Sequence, residues 1–154
     1  MSEAICFILL EKGKRTHMRK FIIASHHKMA EGVKDTLNYI TGGQGNVYAL
    51  SAYLKNTPIQ EEIDELFKEV KEEDEVIIFT DLLGGSVNQA FSRYITRPHV
   101  HVITGMNLPI IMALVLNPDS AYLTADQIRA ALNEAKEQLT YVNDLATNMS
   151  EDDE

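Results

Sequence analysis

The chain has 154 residues, of which 45% are hydrophobic and 24% are charged, a composition typical of one folded globular domain. Its formal net charge of -9 argues against a nucleic-acid partner, because phosphate backbones are bound by clustered Lys and Arg side chains. A single cysteine, Cys6, excludes an intramolecular disulfide, and no Cys and His spacing resembles a structural zinc site. We therefore expect a cytoplasmic protein without a bound metal or cofactor.

The first 17 residues differ in character from the rest of the chain. Residues 4–10 are apolar but too few to span a bilayer, and no basic residue precedes them, which disfavours a secretory signal. We expect residues 1–17 to be an appendage or a mis-assigned start and residues 18–148 to form one domain. Residues 149–154 are predicted to be a solvated acidic tail.

Short apolar runs alternate with amphipathic segments along this domain. Residues 21–24 are the first strand candidate, and the helix after them stops at Gly42 and Gly43. Residues 46–53 are a second strand candidate, and Pro58 begins a helix with a heavily acidic outer face.

The second half of the chain continues the alternation. The apolar run 76–79 predicts a strand buried on both faces of a parallel sheet. A helix with its apolar face over residues 87–95 follows, and residues 99–104 are the fourth strand candidate. Pro109 lies near the start of a further helix, and a last helix begins near Thr124.

Alternating strands and helices predict βαβ crossovers. We expect an α/β fold, a single doubly wound domain whose mainly parallel sheet is flanked by helices on both faces. Ligands of such sheets collect beyond the carboxyl ends of the strands. The loops after the first, third and fourth strands are therefore the candidate functional segments.

The loop after the first strand contains Ser25, His26, His27 and Lys28. Its imidazoles lie at a predicted helix N-terminus, where free N–H groups and the helix dipole favour an anion such as phosphate. A histidine nitrogen is a good covalent acceptor when it is neutral and oriented, and a carboxylate on the other ring N–H fixes that tautomer. Asp81, directly after the third strand, is the predicted orienting carboxylate.

The loop after the third strand continues from Asp81 to two glycines and a serine. Gly84 and Gly85 let backbone N–H groups approach a phosphate closely, and Ser86 adds a hydroxyl at the start of the next helix. We expect these three residues to bind a phosphoryl group on the facing histidine. Phosphoryl transfer needs mainly positioning and charge stabilisation, so such a site suffices when the donor is itself a phosphohistidine.

Ordinary structural roles stay open for each of these residues. The paired histidines could be exposed loop residues, Asp81 a turn or helix cap, and Ser86 an N-cap. Glycine pairs mark many tight turns. His99 and His101 alternate along one face of a predicted strand, where packing is the simpler interpretation.

Three segments at strand ends resemble the enzyme IIA components of the mannose-type bacterial phosphotransferase system (PTS), the mannose, fructose and sorbose superfamily. They are residues 25–32 (SHHKMAEG), 80–86 (TDLLGGS) and 103–109 (ITGMNLP), and the similarity extends from residue 18 to about residue 148. The third segment shapes a turn and starts a helix, and a helper role for it in the pocket stays open.

The resemblance implies a homodimeric phosphotransferase that takes a phosphoryl group from the histidine-containing phosphocarrier protein and gives it to a sugar-specific enzyme IIB. The membrane components IIC and IID would then be indirect partners. By position, His26 corresponds to the phosphorylated histidine, with the phosphoryl group on Nε2, Asp81 to its orienting aspartate and Ser86 to the nearby hydroxyl. Residues 140–142 are the candidate for the family's C-terminal strand, which is exchanged across the dimer.

Two positions depart from the family pattern. The family usually has Gly where His27 stands and Pro where Val87 stands. We assign the reactive ring to His26 because it directly follows Ser25, as the motif requires. Two other functions stay open: the phosphoryl-donor subunit of dihydroxyacetone kinase, whose first domain is of this family, and a metal-dependent hydrolase that would use both histidines and Asp81.

Overall fold

The computed structural model describes residues 17–145, which form a four-stranded parallel sheet in the order β2-β1-β3-β4. The strands are β1 (Arg19–His26), β2 (Asn46–Ala52), β3 (Glu75–Thr80) and β4 (Val100–Thr104). The helices are α1 (Met29–Thr41), α2 (Ile59–Phe67), α3 (Ser86–Ser92), α4 (Leu108–Val115) and α5 (Ala125–Glu137). The predicted α/β parallel architecture is thus confirmed. The predicted acidic tail, and the predicted appendage apart from its last residue, lie outside the described residues.

The sheet separates two hydrophobic layers. Phe21 and Ile23 of β1 pack in the layer beneath α1, α4 and α5, whereas Ile22 and Ala24 pack in the layer beneath α2 and α3. This alternation follows from the two-residue period of a strand. Every residue of β3 is buried, as predicted for a strand covered on both faces. None of the helices between residues 17 and 145 has the length and apolar character needed to span a bilayer.

Helix α3 is shorter than the apolar pattern predicts. It ends at Ser92, and Tyr94 and Ile95 lie in a turn segment before β4. The Tyr94 ring nevertheless stacks on Phe67 with ring centroids 4.4 Å apart. Tyr94 keeps its place in the apolar pattern because it packs on the same layer as α3, whereas Ile95 is exposed, contrary to the prediction.

Strand β1 begins before the apolar run because its charged residues are paired. Arg19 Nε donates to Glu75 Oε2 at 2.5 Å, and its other nitrogens donate to three backbone carbonyls before α5. Lys20 Nζ lies 3.0 Å from Asp74 Oδ2. Burial alone would raise the pKa of Asp74, but hydrogen bonds from Lys20 and two backbone N–H groups lower it below its ordinary value. Removing one partner of such a buried pair costs about 3–5 kcal/mol.

The strand predicted at residues 140–142 is not formed in the single chain. Residues 139–141 have no regular secondary structure, and residues 142–145 form a helical turn. Leu139, Tyr141 and Val142 are 89%, 66% and 67% exposed. An exchanged strand would have to form against a second copy of the chain, and that exchange stays a prediction.

Candidate functional site

Parallel pairing brings the first and third loops together at the carboxyl edge of the sheet. Ala24 of β1 lies opposite Thr80 of β3 in register, so the residues just beyond them become neighbours. His26 is the last residue of β1 rather than a loop residue, and Asp81 directly follows β3. Their proximity, which the sequence analysis expected, is a consequence of this register.

Asp81 holds the His26 ring and main chain at once. Its Oδ2 lies 2.8 Å from both His26 Nδ1 and the His26 backbone nitrogen, and its Oδ1 accepts the Leu82 N–H at 2.9 Å. Burial alone would raise the pKa of Asp81, but the hydrogen bonds from His26 and Leu82 lower it below its ordinary value. An ionised carboxylate only accepts hydrogen bonds, so Nδ1 carries a proton, and in the neutral ring Nε2 is then the nitrogen with the lone pair.

Ser86 faces that lone pair. Its Oγ lies 3.1 Å from His26 Nε2, within reach of a hydrogen bond that the hydroxyl donates when the ring is neutral. Ser86 is also the first residue of α3, and the N–H groups of a first helical turn have no intrahelical acceptor. The helix that begins beside Nε2 is therefore α3, whereas the sequence pattern favours the helix after the first strand.

Gly84 and Gly85 shape the loop between Asp81 and α3. The Gly84 N–H donates to Asn88 Oδ1 and the Gly85 N–H to the Leu82 carbonyl, both at 3.1 Å. The Gly84 N–H is therefore engaged by α3 and the Gly85 N–H within the loop, whereas the sequence predicts that both face a phosphate. A Cβ on Gly85 would lie 3.2 Å from His26 Cε1. The missing side chain thus makes room for the histidine ring.

His27 takes no part in the pair formed by His26 and Asp81. It is exposed, its backbone is left-handed with φ of 54°, and its N–H donates to the Ala52 carbonyl at 2.9 Å. Glycine adopts this conformation without penalty, which is consistent with the glycine that the resemblance implies at this position. Between residues 17 and 145, no group of three or more His, Cys, Asp or Glu side chains is arranged to hold a metal ion.

Tyr53, which no sequence motif indicates, belongs to the same cluster. It directly follows β2, and its hydroxyl donates to Ser86 Oγ at 2.7 Å. Its ring centroid lies 5.7 Å from that of His26. The available signal was its position, because β2 is parallel to β1 and ends at the same edge of the sheet.

The other singled-out residues serve packing or capping. His99 precedes β4 and stacks on Tyr122 with ring centroids 3.6 Å apart. His101 Nε2 lies 3.8 Å from Glu75 Oε1, near the amino ends of the strands, and burial lowers the pKa of His101. Asn107 accepts a backbone N–H of the first turn of α4 at 3.0 Å, which confirms that this segment starts a helix.

Comparison with known proteins gives a consistent assignment. A family model described as PTS system fructose IIA component matches residues 20–139. The PTS system fructose-specific EIIA component of Bacillus subtilis (strain 168) is 26% identical over 101 residues, which cover 64% of this chain and 69% of that protein.

Two solved structures share the fold over most of their length. One is a Klebsiella pneumoniae subsp. pneumoniae MGH 78578 protein assigned as a phosphoenolpyruvate-dependent sugar PTS permease. It is 35% identical with a TM-score of 0.76, over 82% of this chain and 92% of that one. The other is the PTS IIA protein associated with the fucose utilization operon from Streptococcus pneumoniae, 26% identical with a TM-score of 0.70, over 84% and 97% of the two chains. Because the family model spans most of the sequence, the chain belongs to the PTS fructose IIA component family of the mannose-type superfamily.

Proposed function

We propose that the protein is a cytoplasmic phosphocarrier of a sugar PTS. It accepts a phosphoryl group on His26 Nε2 from the histidine-containing phosphocarrier protein and donates it to a sugar-specific enzyme IIB. The observation that supports this role is the His26 ring, held by Asp81 at 2.8 Å through Nδ1, so that the opposite nitrogen, Nε2, is the one left to accept a phosphoryl group. His26 is 37% exposed at its side chain, against 9% for Asp81.

The acceptance step needs no proton transfer. The Nε2 lone pair forms the new N–P bond while the bond between phosphorus and the donor's histidine nitrogen breaks, and its electron pair returns to the donor ring. His26 keeps its Nδ1 proton, so its ring becomes positively charged. The Asp81 carboxylate then stabilises an imidazolium that is also a good leaving group for the next transfer.

Ser86 and the first turn of α3 supply donors to the arriving group. Ser86 Oγ lies 3.1 Å from Nε2. A phosphorus atom bonded to Nε2 must lie closer to that nitrogen than this, so it takes the place that the hydroxyl now faces. The hydroxyl therefore turns aside and donates to a phosphoryl oxygen. Donors already in place where charge develops stabilise the transition state without reorganisation.

The surface around His26 suits protein partners. Leu82 and Leu83, beside Asp81, are 61% and 83% exposed, and such apolar side chains next to an open site favour docking of another protein. The exposed apolar residues at 139–142 support a homodimer in which this segment pairs with a second copy.

Reconstitution of the relay tests the proposal. Incubation with phosphoenolpyruvate, enzyme I and the phosphocarrier protein should add one acid-labile, base-stable phosphoryl group per chain, and added enzyme IIB should remove it. His26→Ala should abolish labelling, while the matched neighbour variant His27→Ala should keep it. A label that maps to His27, or no label on the intact chain, would contradict the assignment.

A further inference from the structure

Tyr53 occupies a backbone conformation that aromatic residues rarely adopt. Its φ is 67°, in the left-handed region where a bulky non-glycine residue is an outlier. Ala52 is in register with His26 in the parallel pair of β1 and β2, so the residue after β2 lies next to the histidine ring. Strain of this kind persists where the surroundings fix the residue, and it clusters at functional sites.

The hydroxyl of Tyr53 is directed at the group that faces the reactive nitrogen. It donates to Ser86 Oγ at 2.7 Å, and Ser86 Oγ lies 3.1 Å from His26 Nε2. The two rings are tilted by 32° with centroids 5.7 Å apart. Tyr53 therefore lies one hydrogen bond beyond the position that a phosphoryl group on Nε2 must occupy.

The negative charge of the phosphoryl group favours a second hydroxyl donor beside Ser86. A phosphoryl group carries about two negative charges and three strong acceptor oxygens. Within residues 17–145, the side chains in hydrogen-bond or ring contact with the His26 ring are Asp81, Ser86 and Tyr53, and none of them is cationic. Asp81 repels the phosphoryl oxygens, so neutral hydroxyl donors must compensate.

We propose that Tyr53 is a phosphoryl-binding residue, whose hydroxyl donates a hydrogen bond to a phosphoryl oxygen on His26 beside that of Ser86. The inference rests on the proposed function. When the Ser86 hydroxyl turns from Nε2, its Oγ moves and the Tyr53 hydroxyl needs a new acceptor. A phosphoryl oxygen at the same place supplies one, and no proton leaves Tyr53 during the transfer.

A donor that contacts only the phosphorylated state shifts the equilibrium of transfer. Loss of one hydrogen bond to a charged group corresponds to about a tenfold change in that equilibrium. Tyr53→Phe, which keeps the ring, should therefore move the phosphoryl distribution about tenfold toward the phosphocarrier protein. A residue with a merely structural role would change the melting temperature instead.

The experiment measures the phosphoryl distribution at equilibrium between the phosphocarrier protein and the wild type or variant, with thermal unfolding recorded in parallel. Tyr39→Phe is the matched control, because Tyr39 is 90% exposed on α1 and should match the wild type. We expect the shift for Tyr53→Phe with an unchanged melting temperature. A wild-type distribution for Tyr53→Phe would overturn the inference.

A second pair of variants separates direct from indirect action. The double variant with Ser86→Ala and Tyr53→Phe is compared with the single variant Ser86→Ala, as in a double-mutant cycle. If Tyr53 contacts the phosphoryl group, the substitution still shifts the distribution there. If the shift vanishes, Tyr53 acts only through Ser86 and the inference is wrong. Failure of the wild type itself to become phosphorylated on His26 would instead reject the proposed function, and the inference with it.

Discussion

Replacement of Asp81 by asparagine tests how the carboxylate supports the relay. The amide oxygen can still accept the two hydrogen bonds that His26 now gives to Oδ2 at 2.8 Å, so the ring position should survive. The amide nitrogen takes the place of Oδ1 and cannot accept the Leu82 N–H, which should cost some stability of the loop. The negative charge is lost, however. Asp81→Asn therefore tests the charge of this residue while its hydrogen bonds with His26 are kept.

The magnitude follows from the charge that phosphorylation creates on the His26 ring. Two unit charges about 4 Å apart attract by about 4 kcal/mol at an effective dielectric constant of about 20, which corresponds to about a 10³-fold shift of the transfer equilibrium. The repulsion between Asp81 and the phosphoryl oxygens opposes this attraction, so this value is an upper limit. The transition state is loose, so less than half of this charge has developed there. The forward rate should therefore lose about 1–2 kcal/mol, or about 5–30-fold.

Quenched-flow transfer from the phosphorylated phosphocarrier protein gives the rate, and the end point gives the equilibrium. Asp35→Asn, at an exposed position of α1, removes one charge elsewhere and should behave as the wild type. Equal losses in rate and equilibrium would imply a fully formed charge in the transition state. An Asp81→Asn variant with wild-type rate and equilibrium would refute the electrostatic role.

Further variants test the loop and the buried pairs. Gly85→Ala should slow transfer several-fold, because its Cβ would lie 3.2 Å from both His26 Cε1 and the Leu82 carbonyl oxygen. Gly32→Ala, which has open space around it, should transfer normally, and equal rates for the two variants would be contrary evidence. His27→Gly should raise the free energy of unfolding by up to about 1 kcal/mol by relieving the left-handed φ, and a marked destabilisation in denaturant titration would count against this. Asp74→Asn should cost about 3 kcal/mol at pH 7. Folding lowers the pKa of Asp74 from its ordinary value of 3.8, so that stability is present above about pH 4 and is lost as the pH falls through the folded pKa. The unfolding curves of the wild type and of Asp74→Asn should therefore converge in acid. A difference between them that persisted there would disprove the pairing argument.

The sequence predicted the fold well because apolar periodicity reports burial directly. The continuous run at 76–79 became β3, buried throughout, and Gly42 ended α1 in a left-handed conformation as a C-cap. Apolar periodicity was less accurate for the ends of strands. Arg19 and Lys20 lie within β1 because each has a carboxylate partner, and a pairing between distant residues leaves no local trace.

The candidate site was predictable where residues follow strands that pair directly. His26 and Asp81 were expected to meet, and the parallel register of β1 and β3 brings them together. Tyr53 was missed because tyrosine after a strand carries no phosphate-binding signal of its own. The engagement of the Gly84 N–H by Asn88 was equally invisible, because it depends on how the loop folds back onto α3.

Proton–nitrogen NMR of the histidine side chains in the phosphorylated protein tests the central claim most directly, since it identifies the ring and the nitrogen that carry phosphorus. We predict phosphorus on Nε2 of His26 with the proton retained on Nδ1 beside Asp81. Phosphorus on Nδ1 of His26, or on either nitrogen of His27, would contradict the account.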